Sequence, residues 1–237
     1  MPLDSAIEKE SILNLAKRLA NSNCATLQGL YAHAGHSYQA RSADEALRYL
    51  EKECESARQF RTMFLEEAKI DIPYLSIGAT PTAQSIVFFK NSSDRVHKAL
   101  QGISEVHAGA YSLLDRQQMA TQLCSESDVA ISVACRVASR YPDRGTVLID
   151  GGALAFSKDG APQGGYGQTT KAGVVLQSVS QEHGILASHD SSSSMHVGDI
   201  VRVIPNHCCL TAACHLYYLV VEKDDQVADV WFPVRGW

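Results

Sequence analysis

"DVAISVACRVASRYP", residues 128–142, places Val129, Ile131, Val133, Cys135 and Val137 at alternate positions. Side chains on a strand point to opposite faces in turn, so this period of two predicts a strand with one face in a core and one in water. Downstream, "GTVLIDGG", "AGVVLQSV", "DIVRVIP", "LYYLVVE" and "ADVWFPV" continue the strand-like character, separated by Gly, Asp, Ser and Pro. Residues 126–237 therefore read as a mostly antiparallel β domain. Within it "HDSSSSMHVGD" (189–199) is a polar loop, too short to link independent modules.

Upstream, residues 1–125 follow a different rule. Between Asp4 and Asn21 the apolar residues Ile7, Ile12, Leu15, Ala16 and Leu19 recur near helical spacing, behind a Ser5–Glu8 capping box. "TLQGLYAH" then suits a buried strand, with Leu27, Leu30 and Tyr31, that ends at a polar edge carrying His33, His36 and Tyr38. A second capping box, Ser42 with Glu45, opens a long helix reaching about Ala68. "PYLSIGATPT" and "GISEVHAGAYSLLD" each repeat the short apolar run that ends in Gly. Such spacing predicts a parallel βα array, whose ligands bind at the carboxyl ends of the strands, where His33, Thr80 and Gly109 fall.

The bulk properties narrow the function. A chain of 237 residues, 45% hydrophobic and 20% charged, can bury one large core or two smaller ones. Its net charge of −5 comes without a basic cluster, which excludes a nucleic-acid footprint and favours a small-molecule ligand. No stretch approaches the roughly 18 consecutive apolar residues needed to cross a bilayer. The opening "MPLDSAIEKES" is too acidic and polar for a secretory signal, so a cytoplasmic location is expected. There the seven cysteines read as reduced thiols or metal ligands.

Two segments carry candidate chemistry. In "RVIPNHCCLTAACHLYYLVVE" (202–222), Pro205 and Asn206 mark a turn after a strand. If that turn is extended, His207 and Cys209 point one way and Cys208 the other, and imidazole nitrogen with thiolate sulfur is the pair zinc prefers. Buried free cysteine as a small apolar residue is the competing reading, and it covers Cys208 and Cys214. The strand ends "SIGATPT" and "HAGAY" can offer backbone N–H groups to a phosphate, although Gly and Thr are also ordinary turn residues. "IDGGALAFSKDG" (149–160) reads as a plain hairpin with Asp150 and Asp159 as turn formers. His33 and His36 receive no role.

Taken in order, "GLYAHAGHSY", "SIGATPT", "EVHAGAYSLLD", "IDGGALAFSKDG", "SQEHG" and "GDIVRVIPNHCC" resemble the eukaryotic-type D-serine dehydratases and the related D-threonine aldolases, fold-type III pyridoxal-phosphate enzymes. The resemblance runs from about residue 10 to the closing "VWFPVRGW". It implies an α/β plus β architecture: the last strands of an alanine-racemase-like βα barrel, followed by a mostly antiparallel β domain that carries a metal. It implies pyridoxal 5'-phosphate and zinc as cofactors and a D-amino acid as substrate. The reaction implied is β-elimination of D-serine to pyruvate and ammonia. In the full-length family the assembly is a homodimer.

The resemblance also assigns residues. His207 and Cys209 match the His-x-Cys of the zinc-holding dehydratases, where the aldolases resemble His-x-Asp with a harder ion such as manganese. Thr80 and the stretch Gly109, Ala110 and Tyr111 would surround the phosphate, and Tyr31 and Tyr38 would line the cofactor ring or substrate. One loop departs from the pattern, with "AGAY" where the family has "PGNY". The Schiff-base lysine of the family, in a context like "RPHVKTHK", has no counterpart, and Lys9, Lys17, Lys52, Lys69 and Lys90 sit in unlike contexts. The isolated chain is therefore expected to have little dehydratase activity. The alternatives are a D-threonine aldolase-like lyase and a non-catalytic zinc-binding remnant or partner of a full-length homologue.

Overall fold

In the computed structural model, which describes residues 6–90, 94–161, 164–170, 173–188, 195–222 and 225–234, the chain divides into two units. Met1–Tyr111 with Ala120–Leu123 form one, and Ser112–Met119 with Cys124–Trp237 form the other.

The first unit opens with α1 (Ala6–Ala20). It buries Leu13 and Ala16, whereas Leu15 is 56% exposed, so the apolar stripe is narrower than the spacing predicts and Leu15 lies off it. Ser5 of the expected capping box lies outside the described residues. The second box forms: Ser42 caps α2 (Ala43–Met63) by accepting the Glu45 N–H at 3.2 Å. The Glu45 carboxylate reaches back one residue further than expected, to the Arg41 N–H at 2.6 Å. A π turn, Phe64–Ala68, extends α2 to Ala68, and the helix stops at left-handed Lys69.

Three strands, β1 (Gly29–Ala32), β2 (Tyr74–Ile77) and β3 (Glu105–Val106), pair parallel in chain order. The helix α2 connects β1 to β2, and α3 (Thr80–Phe88) with α4 (Asp94–Leu100) connects β2 to β3, as parallel pairing requires. Leu47, Leu50 and Cys54 of α2 pack with Leu75 and Ile77 of β2 and Val96 of α4 in one apolar cluster. Each fully buried Leu or Ile there stabilises the fold by about 1.5–3 kcal/mol. Leu75 and Ile77 face the helices, so alternation turns Tyr74 and Ser76 to the other face, where Tyr31 and Glu105 flank Ser76 in register.

In the second unit β4 (Val133–Tyr141) buries Val133, Cys135 and Val137, as the alternation predicts. Val129 and Ile131 precede the strand. With β5 (Thr146–Ile149), β6 (Gly167–Thr169), β7 (Val174–Val179), β8 (Gly184–Ser188) and β9 (Ile200–Pro205), β4 closes an antiparallel barrel in the order β4-β5-β8-β7-β6-β9. Closure leaves no strand edge unpaired, and Ile149, Leu176, Leu186 and Val203 fill the interior. Strands β6 and β8 are short and rich in Gly, Thr and Ser, and the sequence pattern does not foretell them.

Three corrections concern this unit. Residues 149–160 do not form a hairpin: α6 (Ala153–Phe156) drives Phe156 into the core, while the Ala153 and Leu154 N–H groups bond to the carbonyls of Ser180 and Gln181. The segment after Asn206 is not an extended turn, because Cys208–Ala213 is a helix, α7. Two of the expected strands, β10 (Tyr218–Val221) and β11 (Val227–Trp231), form an antiparallel ribbon of their own, outside the barrel. Most of the 189–199 loop lies outside the described residues.

Candidate functional sites

At the end of β9 the backbone leaves the barrel through Asn206, and His207 becomes the extended N-cap of α7. Cys208 and Cys209 are therefore the first two helical residues. Cys208 turns inward and is fully buried, while Cys209 is exposed. The junction is held by two carboxylates. Asp115 accepts the Cys208 N–H at 2.8 Å on one oxygen and the Gln118 N–H at 3.0 Å on the other, so one buried side chain caps both α7 and the short α5 (Arg116–Ala120). Asp159 bonds to the His207 Nδ1 at 2.7 Å and accepts the Gln117 Nε2–H at 2.9 Å. The Asn206 amide donates to the Asp159 carbonyl at 3.0 Å, fixing the loop from the other side.

The electrostatics favour a thiolate. The Cys208 S–H and the His207 imidazole both hydrogen-bond to Cys209 and lower its pKa to about 5. Cys208 is pushed up, chiefly by that same contact and by burial. The Cys209 contact, reinforced by Asp159, raises His207 to about 9. With Nδ1–H donating to the Asp159 carboxylate, Nε2 is the nitrogen left for a metal once the ring gives up its second proton, the arrangement in which histidine ligates a metal. One imidazole nitrogen and one thiolate form a donor set that suits zinc. Among the described residues no group of three or more His, Cys, Asp or Glu is placed to hold a metal ion. The His207–Cys209 pair was named from sequence, while Asp159, read there as a turn former, is its missed partner.

In the first unit the expected phosphate residues gather at the strand ends. Thr80 is the first residue of α3 and is buried, and its Oγ1 accepts the Ala110 N–H at 3.0 Å. Thr80 and Ala110 thus meet, but this N–H is already engaged. Gly109 remains open, since a Cβ there would meet no atom within 4 Å. Open backbone beside a helix N-terminus fits a phosphate. Gly78 has φ +136°, and a Cβ there would lie 2.3 Å from the His107 carbonyl, so only glycine lets the β2 and β3 ends approach this closely.

The other predicted residues are spread over the same ends. Tyr31 and Tyr111 are each 63% exposed, and the Tyr31 ring meets His107 edge-on with centroids 5.1 Å apart. Tyr38 lies in the 3-10 turn Gly35–Gln39 and accepts on its carbonyl from Arg41. His33 bonds to the Gly78 carbonyl at 2.9 Å, and His36 stacks edge-on with Tyr49. His107 bonds to Ser76 and, at 2.7 Å, to Glu105. No lysine lies on β1, β2 or β3, so these strands do not fit covalent attachment of pyridoxal phosphate.

Sequence reading missed Glu53, which organises these ends. From the middle of α2 its Oε1 accepts the Ala34 N–H at 2.8 Å and the Gly78 N–H at 3.2 Å, and its Oε2 accepts the Thr82 hydroxyl at 3.0 Å. Burial raises its pKa, and the three donors oppose that shift.

Comparison with known proteins agrees with both units. Residues 130–221 match the family described as "Putative serine dehydratase domain". The D-serine dehydratase of Schizosaccharomyces pombe is 37% identical over 248 residues, covering 99% of this chain and 57% of that protein. The D-threo-3-hydroxyaspartate dehydratase of Delftia sp. is 31% identical, covering 89% of this chain and 57% of that enzyme. Its solved structure superposes with a TM-score of 0.79 at 30% identity, covering 96% of this chain and 61% of that one. Solved forms of that enzyme include a histidine-to-alanine variant and, in a metal-free form, a variant in which a cysteine two positions further on is alanine. An alanine-racemase-like protein from Idiomarina loihiensis superposes with a TM-score of 0.78 at 32% identity, covering 96% and 60%. The chain thus spans about three fifths of the length of these relatives. Among the described residues no helix is long and apolar enough to cross a membrane. With a partial alanine-racemase-like barrel, an antiparallel β barrel and these relatives, the chain belongs to the D-serine dehydratase family of fold-type III pyridoxal-phosphate proteins.

Proposed function

We propose that this chain carries the metal half and part of the cofactor half of a dehydratase that eliminates water from 3-hydroxy-D-amino acids, D-serine first among them. The observation that carries the reading is the His207–Asp159 bond of 2.7 Å beside the Cys209 thiolate, a ligand pair with its orienting carboxylate already in place. The spacing of the altered histidine and cysteine in the Delftia enzyme supports the same pair. Thiolate separates this site from aldolase-like chemistry with harder ions.

When bound, zinc would act as a Lewis acid on the substrate hydroxyl, and pyridoxal phosphate would supply an electron sink. The chain's own residues have simpler tasks. His207 and Cys209 would hold the metal, and Asp159 and Gln117 fix the imidazole. Asp115 anchors α7, which bears both cysteines. Thr80, Gly109, Ala110 and Tyr111 would hold the phosphate, and Tyr31 and Tyr38 would border the ring. Lysine is the group these residues do not provide at the strands, so the 237 residues alone would bind zinc without turning over D-serine.

The test is zinc quantification on the purified chain, together with borohydride reduction in the presence of pyridoxal phosphate and mass spectrometry of lysines. Stoichiometric zinc that is lost on His207→Ala or Cys209→Ala, with no lysine adduct, is expected. A stoichiometric adduct on one lysine would overturn the statement about turnover, and absence of zinc would overturn the metal assignment.

A further inference from the structure

Arg116 is an anomaly in the second unit. It is the first residue of α5, between Asp115 and Gln117, the two residues that brace the metal junction. Only 6% of it is exposed, yet no carboxylate pairs with it among the described residues. Among the described residues its hydrogen bonding amounts to one long contact, from Nη1 to the Gly164 carbonyl at 3.5 Å. Burial lowers its pKa with no opposing charge to offset the shift. An isolated buried cation costs several kcal/mol, and proteins answer that cost by pairing it. The remaining 6% leaves part of the residue in contact with solvent.

A second group in the same cluster also lacks a partner. Asn206 is 1% exposed, and its Oδ1 is buried without a hydrogen bond among the described residues. Asn206 precedes His207 and accepts the Gln117 N–H at 3.2 Å on its carbonyl. Asp159 bonds to His207, and Gly164 accepts from Arg116.

We infer that Arg116 anchors a carboxylate subsite beside the His207–Cys209 pair, which takes the second carboxylate of a 3-hydroxy-D-amino diacid, the 3-hydroxyaspartate class. The fork of a guanidinium matches a carboxylate through two parallel hydrogen bonds. This placement rests on the proposed function, in which the substrate hydroxyl goes to the metal. In 3-hydroxyaspartate the extra carboxylate sits on the carbon that bears that hydroxyl, so it falls on the metal side, where Arg116 is.

The test is calorimetric titration of the purified chain with D-threo-3-hydroxyaspartate and with D-serine, in zinc-loaded and in chelator-treated protein. The wild-type chain is expected to bind the diacid about tenfold tighter or more, in both forms. Arg116→Met should erase that preference with zinc content unchanged. Should Arg116→Met fail to fold, Arg116→Lys decides, since it keeps a cation but not the fork, and its preference should fall about fivefold or more. No preference in the wild type, or an undiminished one in the folded variant, overturns the inference. Loss of zinc binding alone would instead overturn the metal assignment, because the chelated protein still reports on Arg116.

Discussion

The ends of the parallel strands in the first unit and the β9–α7 junction in the second solve one problem in opposite ways. At the strand ends the proposed phosphate contacts are largely main-chain, and one buried side chain, Glu53, gathers the Ala34 and Gly78 amides with Thr82. At the junction the proposed metal ligands are side chains, His207 and Cys209, and two carboxylates, Asp159 and Asp115, hold the imidazole and the helix start. A backbone site depends on the fold staying closed, so its weak point is stability. A side-chain site depends on protonation and tautomer, so its weak point is affinity.

Glu53→Ala should break the comparison most severely. It leaves two amides without their acceptor in the interior, which costs about 2–6 kcal/mol and shows in urea unfolding as a lowered midpoint. Zinc content of the folded fraction should not change. Asp159→Asn probes the other side: without the carboxylate on Nδ1, zinc affinity should fall about 10- to 100-fold in a competition titration, with the unfolding midpoint little moved.

Glu53→Gln is a milder probe, because one amide oxygen can still accept both N–H groups while Thr82 turns to the Ala79 carbonyl it already reaches. Stability should change by about 1 kcal/mol. The pH dependence should change more. Burial raises the folded-state pKa of Glu53 above its ordinary value, so the folded chain holds that proton more tightly than the unfolded one. That contribution is full below the unfolded value and is lost as pH rises through the raised folded one. Unfolding curves across this window should therefore slope downward for wild type and flatten for Glu53→Gln. Cys208→Ala is expected to have the smallest effect, about 1 kcal/mol from a buried thiol, with zinc retained.

Much of the fold is legible in the sequence where a periodic pattern meets a single core. Alternation gives Val133, Cys135 and Val137 away, and the Ser42 cap marks the start of α2. Legibility fails where tertiary contacts decide. Nothing local marks Cys208–Ala213 as a helix so soon after Pro205, because the signal is Asp115, distant in sequence, capping its first N–H. For the same reason Asp159 passes for a turn residue. Glu53, acidic in the middle of a long helix, reads as solvent-facing, yet its partners come from three other segments. His207 and Cys209 stood out because both donors lie within three residues, and resemblance ranked them above buried cysteine.

The most direct test of the central claim is X-ray absorption at the zinc edge of the zinc-loaded chain. The account predicts one sulfur at about 2.3 Å and one imidazole nitrogen at about 2.0–2.1 Å, the remaining positions being light atoms. Two sulfurs would make Cys208 a ligand, and a shell without sulfur would remove Cys209. Either result would contradict the assignment of the metal to His207 and Cys209.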